Sequence, residues 1–219
     1  DVRRVVLFAG VGMWGESGIP TFREAGGWWS WFPPGQFGHM GGLTQVAMSD
    51  PKRLVAFLLA VLEPIAVAEP NAGHLAIAGL ETHKHVAIIT QNIDALHQDA
   101  GSGTGYEVHG SLLEIVDRHG KHIRHLARND LNALVAELQN VKERHFALPR
   151  ALIALRKLVG VDLRGMHRPN IVLFGEALAE PAWSHSVEAA SDCDVMLLVG
   201  TSGEVYPSAM LPDYAASSG

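Results

Sequence analysis

The stretch RRVVLFAGVGMWGESGIPTFRE, residues 3–24, runs from a β-branched apolar segment straight into Gly10, Gly12 and Gly15 at G-x-G-x-x-G spacing. A short apolar run stopped by glycine, here Val5–Phe8, reads as a strand buried on both faces of a parallel sheet. Glycines directly after such a strand let the backbone approach a ligand at the carboxyl end of the sheet, where open α/β folds bind. Val86–Ile89, Ile171–Phe174 and Val195–Val199 have the same character and read as further buried parallel strands. Between the runs lie helical patterns at Pro51–Glu63 behind the capping residue Asp50, at Ala72–Thr82 behind Asn71, at Pro181–Ala190 and at Pro207–Ala216. This alternation predicts an α/β fold, an open parallel-sheet, Rossmann-like domain over residues 1–116 and 169–219. From Asp117 to Arg168 the chain turns polar and then carries two helical patterns, Leu131–Val141 and Pro149–Leu158, so residues 117–168 read as a small inserted module. The stretch GGWWSWFPPGQFGHMGG, Gly26–Gly42, fits either a mobile lid over a site or an ordinary packed aromatic loop.

Composition narrows the function classes. The chain has 219 residues, 47% hydrophobic and 18% charged, which fits a soluble globular enzyme of one or two domains and argues against disorder. A net charge of −6 with no basic stripe argues against direct nucleic-acid binding and suits a basic peptide better. The longest apolar run, Leu54–Leu62, is stopped by Glu63 and Pro64, well short of the roughly 20 residues of a membrane span. No membrane association is expected. The N-terminal DVRRVVLFAG lacks the basic, apolar and cleavage regions of a signal peptide and reads as the edge of the domain. Cys193 is the only cysteine, which excludes an internal disulfide and a cysteine-built zinc site and points to a reducing, cytoplasmic compartment.

The glycine loop fails as the fingerprint of a hydride-transferring enzyme. That fingerprint needs a helix opening at the loop and an acidic residue about 20 positions later. Here Pro20, within Ser-Gly-Ile-Pro, prevents a long regular helix, and no acid lies between Glu24 and Asp50. Taken alone, the loop is compatible with a ligand cradle or with a bare tight turn. A second constellation favours the ligand. In TQNIDALHQDAG, residues 90–101, Gln91, Asn92 and Asp94 cluster after the strand Val86–Ile89, and short amide and carboxylate side chains can pair with both edges of a carboxamide such as nicotinamide's. In YEVHGSLLEI, residues 106–115, His109 precedes Gly110 and is suited to act as an exposed general base. In LLVGTSGEVYP, residues 197–207, Gly200, Thr201 and Ser202 offer backbone and hydroxyl groups to phosphate or ribose.

Taken in order, GESGIPTFRE, PNAGH, TQNIDALHQDAG, VHGSL, NIVLFGE and LLVGTSGEVYP resemble the sirtuins, NAD-dependent protein-lysine deacylases. The wording PTFREAGGWW and EPNAGH is most similar to the bacterial and mitochondrial desuccinylase-type branch. The resemblance implies that NAD is consumed: nicotinamide leaves and the acyl group of an acyl-lysine protein or peptide passes to ADP-ribose. It implies that His109 is the general base, that Asn92, Ile93 and Asp94 hold the carboxamide end, and that Gln91 lies on the ribose. Ile19, Pro20 and Phe22 would line the nicotinamide pocket, with Phe22 shielding the reactive face, and Arg23 would lie near the phosphates. Gly10, Val11, Gly12, Gly200, Thr201 and Ser202 would cradle the dinucleotide. Val172, Phe174, Gly175 and Glu176, with Gly203 and Val205, would flank a substrate peptide added as a strand. A silent NAD- or ADP-ribose-binding module, and an NAD hydrolase or ADP-ribosyltransferase, are the competing readings.

Four departures from the family pattern carry expectations of their own. The family's loop reads Gly-Ala-Gly-x-Ser, but here Trp14 stands at the Ser position, where a bulky indole is expected to weaken cofactor binding or force the loop outward. The family's two Cys-x-x-Cys pairs are absent, with Asp117 and Gly120 near the first, so no zinc is expected; Asp117, His119, His122 and His125 do not have convincing replacement spacing. At the Tyr-x-x-Arg positions that grip an acidic acyl chain stand Leu58 and Val61, so acetyl or longer apolar acyl groups are the expected cargo. The strand that supplies adenine contacts in the family has no counterpart before AASSG, so either the adenine site is incomplete or the sequence is truncated.

Overall fold

A computed structural model describes residues 2–142, 147–159 and 167–217. In chain order its elements are β1 (Arg4–Ala9), α1 (Trp28–Trp31), α2 (Pro34–Phe37), α3 (Met40–Ser49), α4 (Pro51–Val67), α5 (Ala72–Leu80), β2 (His85–Thr90), α6 (Leu96–Asp99), β3 (Gly105–Glu107), β4 (Gly110–Val116) and β5 (His122–His125). There follow α7 (Arg128–Lys142), α8 (Ala147–Val159), β6 (Arg168–Ile171), α9 (Ala182–Ser191), β7 (Val195–Val199) and α10 (Leu211–Ser217). The chain divides into two compact units, one of residues 1–17, 69–112 and 177–219, the other of residues 18–68 and 113–176.

The first unit is the α/β fold that the sequence predicts. Its sheet has the order β3-β2-β1-β7, and β1 lies parallel to both β2 and β7. Alternation along β1 builds two cores. Val5, Leu7 and Ala9 join Met13, Ile77 and Ile88, while Val6 and Phe8 join Ile89, Val108, Ala190 and Leu211. Residues two apart share a face, so each face of the sheet receives its own helices, α5 on one side and α9 with α10 on the other. The expectation that Val195–Val199 is fully buried needs correcting. Among the described residues β7 pairs only with β1 and forms the edge of the sheet, leaving Leu197 44% and Leu198 52% exposed.

The second unit holds a three-stranded sheet, β5-β4-β6, and a layer in which α4 packs against α7 and α8. Asp50 caps α4 by accepting from Arg53 N at 3.1 Å, as the sequence predicts. Near the other end of α4, Arg128 of α7 donates to the carbonyl of Ile65 at 2.7 Å, which also accepts from the capping Ala68 N at 3.4 Å. The run Ile171–Phe174 proves not to be a strand of the parallel sheet. The strand there is β6, half-buried beside β4, because an apolar run specifies burial and not which sheet it joins. The aromatic stretch 26–42 is packed: Phe32, Phe37 and Phe57 pack ring on ring with centroids 4.8–5.3 Å apart, and Trp28 and Phe37 are buried. Among the described residues no helix is by itself long and apolar enough to cross a membrane.

Candidate active site

In the first unit the carboxyl ends of β1, β2 and β7 bring the glycine loop, the Gln91–Asp94 segment and the Gly200–Ser202 segment together. Gly10 N donates to Val199 O at 3.0 Å and Gly12 N donates to Gly200 O at 2.8 Å. A Cβ on Gly10 or Gly12 would lie 2.7 Å from the Gly200 backbone, and one on Gly200 would lie 2.7 Å from Met13 N. These glycines are therefore required by the interlock of two loops. Gly15 meets nothing within 4 Å, so the third glycine of the spacing has no such reason.

Gln91 ties the strand ends together. Its Nε2 donates to Ser208 Oγ at 2.8 Å and its Oε1 accepts from Thr201 Oγ1 at 2.9 Å, so both ends of the amide are engaged within the protein. Thr201 Oγ1 also accepts from Gly203 N at 3.3 Å, and Ser208 Oγ donates to Val205 O at 2.8 Å. Ser202 is exposed and Val11 half-buried. Ile93 is fixed through its carbonyl, which accepts from Leu112 N at 2.9 Å.

Asn92 is buried. Its Nδ2 donates to Gly10 O at 3.2 Å, while its Oδ1, also buried, meets no protein donor. A buried acceptor left open at the end of a strand fits the N–H of a carboxamide, the group that nicotinamide carries. Asp94 is 1% exposed, and its Oδ1 accepts from Leu96 N at 2.6 Å across Ala95, a non-glycine residue at φ +61°. Holding alanine in the left-handed region costs about 1 kcal/mol or more, which the carboxylate bond offsets. The second oxygen, Oδ2, accepts from Trp14 Nε1. Trp14 is itself 1% exposed, so the indole is turned inward and the expected outward displacement of the loop does not occur.

His109 is half-buried rather than exposed as the sequence reading has it. Its Nδ1 donates to Gln91 O at 3.0 Å, since a carbonyl can only accept. That bond places the proton of the neutral ring on Nδ1 and leaves Nε2 with a bare lone pair. Burial pushes the His109 pKa below its ordinary value, and the Gln91 bond opposes that shift. The ring is thus a neutral base at physiological pH.

Two features of this unit have no part in the sequence reading. Asn71, read there only as a helix cap, also donates from Nδ2 to Met13 O at 2.8 Å and Ser17 Oγ at 3.0 Å while its Oδ1 accepts from Gly73 N at 2.9 Å. It therefore clamps the glycine loop on both sides of Trp14. Behind Asp94, His74 and His97 are buried with ring centroids 4.8 Å apart; burial lowers both pKa values, that of His97 to about 4. Tertiary roles of this kind leave no local pattern.

The second unit places the remaining predicted residues. Ile19 is buried, Pro20 and Arg23 are exposed, and Phe22 lies stacked on Trp29 and edge-on to Trp28, both with centroids 4.9 Å away. Val172 is half-buried; Phe174 is exposed, its N–H donating to Gly38 O at 2.9 Å and its carbonyl accepting from His39 Nδ1 at 2.7 Å. Gly175 has φ +88°, and Glu176 Oε2 accepts from Leu173 N at 3.1 Å and Arg168 Nη1 at 3.3 Å. The hairpin between β4 and β5 is held by Asp117, whose Oδ1 accepts from His119 N at 2.8 Å and Lys121 N at 3.0 Å. Among the described residues no three His, Cys, Asp or Glu side chains converge as a metal site.

The Sir2 family model matches residues 10–207. An NAD-dependent protein deacylase of Mycobacterium tuberculosis (strain ATCC 25177 / H37Ra) is 39% identical over 217 residues, covering 99% of this chain and 82% of its own. One of Desulfosudis oleivorans is 39% identical over 225 residues, covering 99% and 78%. Among solved structures, one described under the mechanism and regulation of Sir2 enzymes superposes with a TM-score of 0.73 at 33% identity, over 100% of this chain and 78% of that one. A Sir2 complex with a deacetylated p53 peptide and 3′-O-acetyl ADP ribose superposes with a TM-score of 0.74 at 29% identity, over 100% and 80%.

Proposed function

The chain belongs to the Sir2 family, and on that premise we propose that it is an NAD-dependent protein deacylase in which His109 is the general base. NAD, when bound, supplies the ribose that receives the acyl group as nicotinamide is released. The observation that carries the assignment is the bond from His109 Nδ1 to Gln91 O, which leaves Nε2 unprotonated and able to take a proton from a hydroxyl. Asn92 Oδ1 is the acceptor for a carboxamide N–H, and Asp94, two residues on, is the buried carboxyl of the same segment. Gln91, Thr201 and Ser208 hold one another through side-chain bonds and act by fixing the strand ends. Burial of Asn92 and Asp94 strengthens the bonds that these side chains make.

For the acyl group, α4 carries Leu58 and Val61, both half-buried, where a desuccinylase-type member would carry a phenol and a guanidinium. We infer a preference for acetyl or longer apolar acyl-lysine. Residues 117–168 serve as the inserted module, and a reducing compartment is the proposed location.

One experiment tests both statements: acetyl- and succinyl-lysine peptides are incubated with NAD, and nicotinamide and deacylated peptide are followed by mass spectrometry. The expected result is one nicotinamide per acetyl group removed, acetyl faster than succinyl, and a loss of about 100-fold or more in His109→Ala. Desuccinylation outpacing deacetylation would overturn the acyl preference. Nicotinamide release without peptide would turn the reading to NAD hydrolysis.

A further inference from the structure

The residue at the fifth position of the glycine loop differs in kind from the small hydroxyl of the family pattern, and the structure shows what the difference touches. Trp14 sits between two single 3₁₀ turns, Val11–Met13 and Gly15–Ser17. Its backbone N–H is bonded to Val11 O at 2.9 Å. Asn71 holds Met13 O on one side and Ser17 Oγ on the other. With the backbone fixed on both flanks, the indole has only its side-chain torsions with which to leave its position. In that position Nε1–H points at Asp94 Oδ2. An indole N–H donates and cannot accept, so Asp94 is the acceptor in this bond. The other carboxylate oxygen is engaged by Leu96 N. Two residues before this carboxylate is Asn92, whose buried Oδ1 has no protein donor.

We propose that Trp14 is a specificity-determining residue that competes with nicotinamide for Asp94, so that this deacylase resists inhibition by its own product. The inference rests on the deacylase reading, because nicotinamide is the product released there. A carboxamide has one acceptor and one amino group, and its full capture at this site requires both Asn92 and Asp94. The carboxamide finds Asn92 ready, but at Asp94 Oδ2 it meets an oxygen to which the buried indole already donates, and it has to compete with that donor. A small hydroxyl in place of the indole leaves room beside the carboxylate and can itself turn aside. The exchange is one hydrogen bond for another, so part of the binding free energy of free nicotinamide is lost at this one contact. NAD, held in addition through its ribose and phosphates, loses proportionately less.

The test compares the full chain with Trp14→Phe, which keeps an aromatic ring and removes the N–H, and Trp14→Ser, which restores the family's residue type. Nicotinamide inhibition of acetyl-peptide deacylation is measured alongside the KM for the peptide. Both variants are expected to lower the inhibition constant about tenfold, several times more than they change the peptide KM. Direct calorimetric titration with nicotinamide provides a readout that needs no turnover: Trp14→Phe is expected to bind it about tenfold more tightly than the unaltered chain. If the chain deacylates and Trp14→Phe leaves the inhibition constant unchanged, the inference is overturned. The same holds if stability and every kinetic constant decline together, since the indole would then be a packing residue. If no deacylation occurs but the titration still separates the variants, the function reading fails while the competition at Asp94 stands. If the titration does not separate them, both fall.

Discussion

Gly200 and Gly120 both hold φ in the left-handed region, at +65° and +77°, yet glycine is needed at the two positions for different reasons. At Gly200 the requirement is tertiary. The turn after β7 is pressed onto the glycine loop, so an added Cβ would lie 2.7 Å from Met13 N and 3.0 Å from Gly12 Cα. At Gly120 the requirement is local. The hairpin turn is closed by Gly120 N donating to Asp117 O at 3.0 Å and by the Asp117 side chain, and an added Cβ would meet nothing. The turn that carries the site is specified by backbone packed on backbone, and the turn of the hairpin by one aspartate and its own amides. In the family pattern the hairpin region carries cysteines, whereas here local turn chemistry holds it.

Gly200→Ala breaks the contrast most strongly. Left-handed φ for alanine costs about 1–2 kcal/mol, and relieving the overpacked contact adds about 1–3 kcal/mol. A loss of about 4 kcal/mol in urea unfolding is expected, together with loss of NAD binding, because Gly10 and Gly12 shift with the contact. If Gly120→Ala cost as much, the distinction between tertiary and local need would fail.

The histidines sharpen the same comparison. His97 is buried behind Asp94 with neither ring nitrogen bonded, while His119, His122 and His125 are exposed on the hairpin and β5. Burial, with neighbouring His74 adding to it, lowers the His97 pKa from 6.5 to about 4. Between those values the unfolded chain binds the proton and the folded chain does not, so stability rises with pH. This contribution is fully present above pH 6.5 and is lost as pH falls to about 4. The size is on the order of 3 kcal/mol. His74 shifts the same way, with Asp94 opposing it. Urea unfolding at pH 7 and at pH 4.5 measures the loss, and His97→Leu is expected to flatten it; a slope that survives His97→Leu would assign it elsewhere.

What the sequence disclosed follows the same division. Val5–Phe8 and Val86–Ile89 are legible because a strand buried on both faces must be apolar throughout, and β1 and β2 are buried in that way. Gln91, Asn92, Asp94 and His109 are legible as a group because the carboxyl end of a parallel sheet gathers whatever follows its strands. Trp14 is legible as an oddity but not in its direction, since a bulky residue in a glycine loop can point outward or inward and only a partner such as Asp94 decides. Asn71 shows the limit. Its bond to Gly73 N is a local cap and readable, whereas its bonds to Met13 and Ser17 span more than 50 residues and leave no pattern. The hairpin from β4 to β5 escapes for a different reason: β5 is exposed on every residue and its pairing with β4 shifts register between Ile115 and Val116, so the alternation that betrays a strand is missing.

The smallest expected effect belongs to Asp117. Its carboxylate is held below the usual range by the amides of Lys121 and His119, which favour the charged form. The same two bonds are what closes the turn, so Asp117→Ala removes the turn's fastener while leaving the packing of Ile115, Val116 and Leu126 in place. Hydrogen exchange is the measurement with the resolution to see this. The His119 and Lys121 amides are expected to exchange faster, with the unfolding midpoint and the deacylation rate unchanged. A fall in deacylation with Asp117→Ala would mean that the hairpin is energetically part of the site after all, and that its turn is under the same tertiary demand as Gly200.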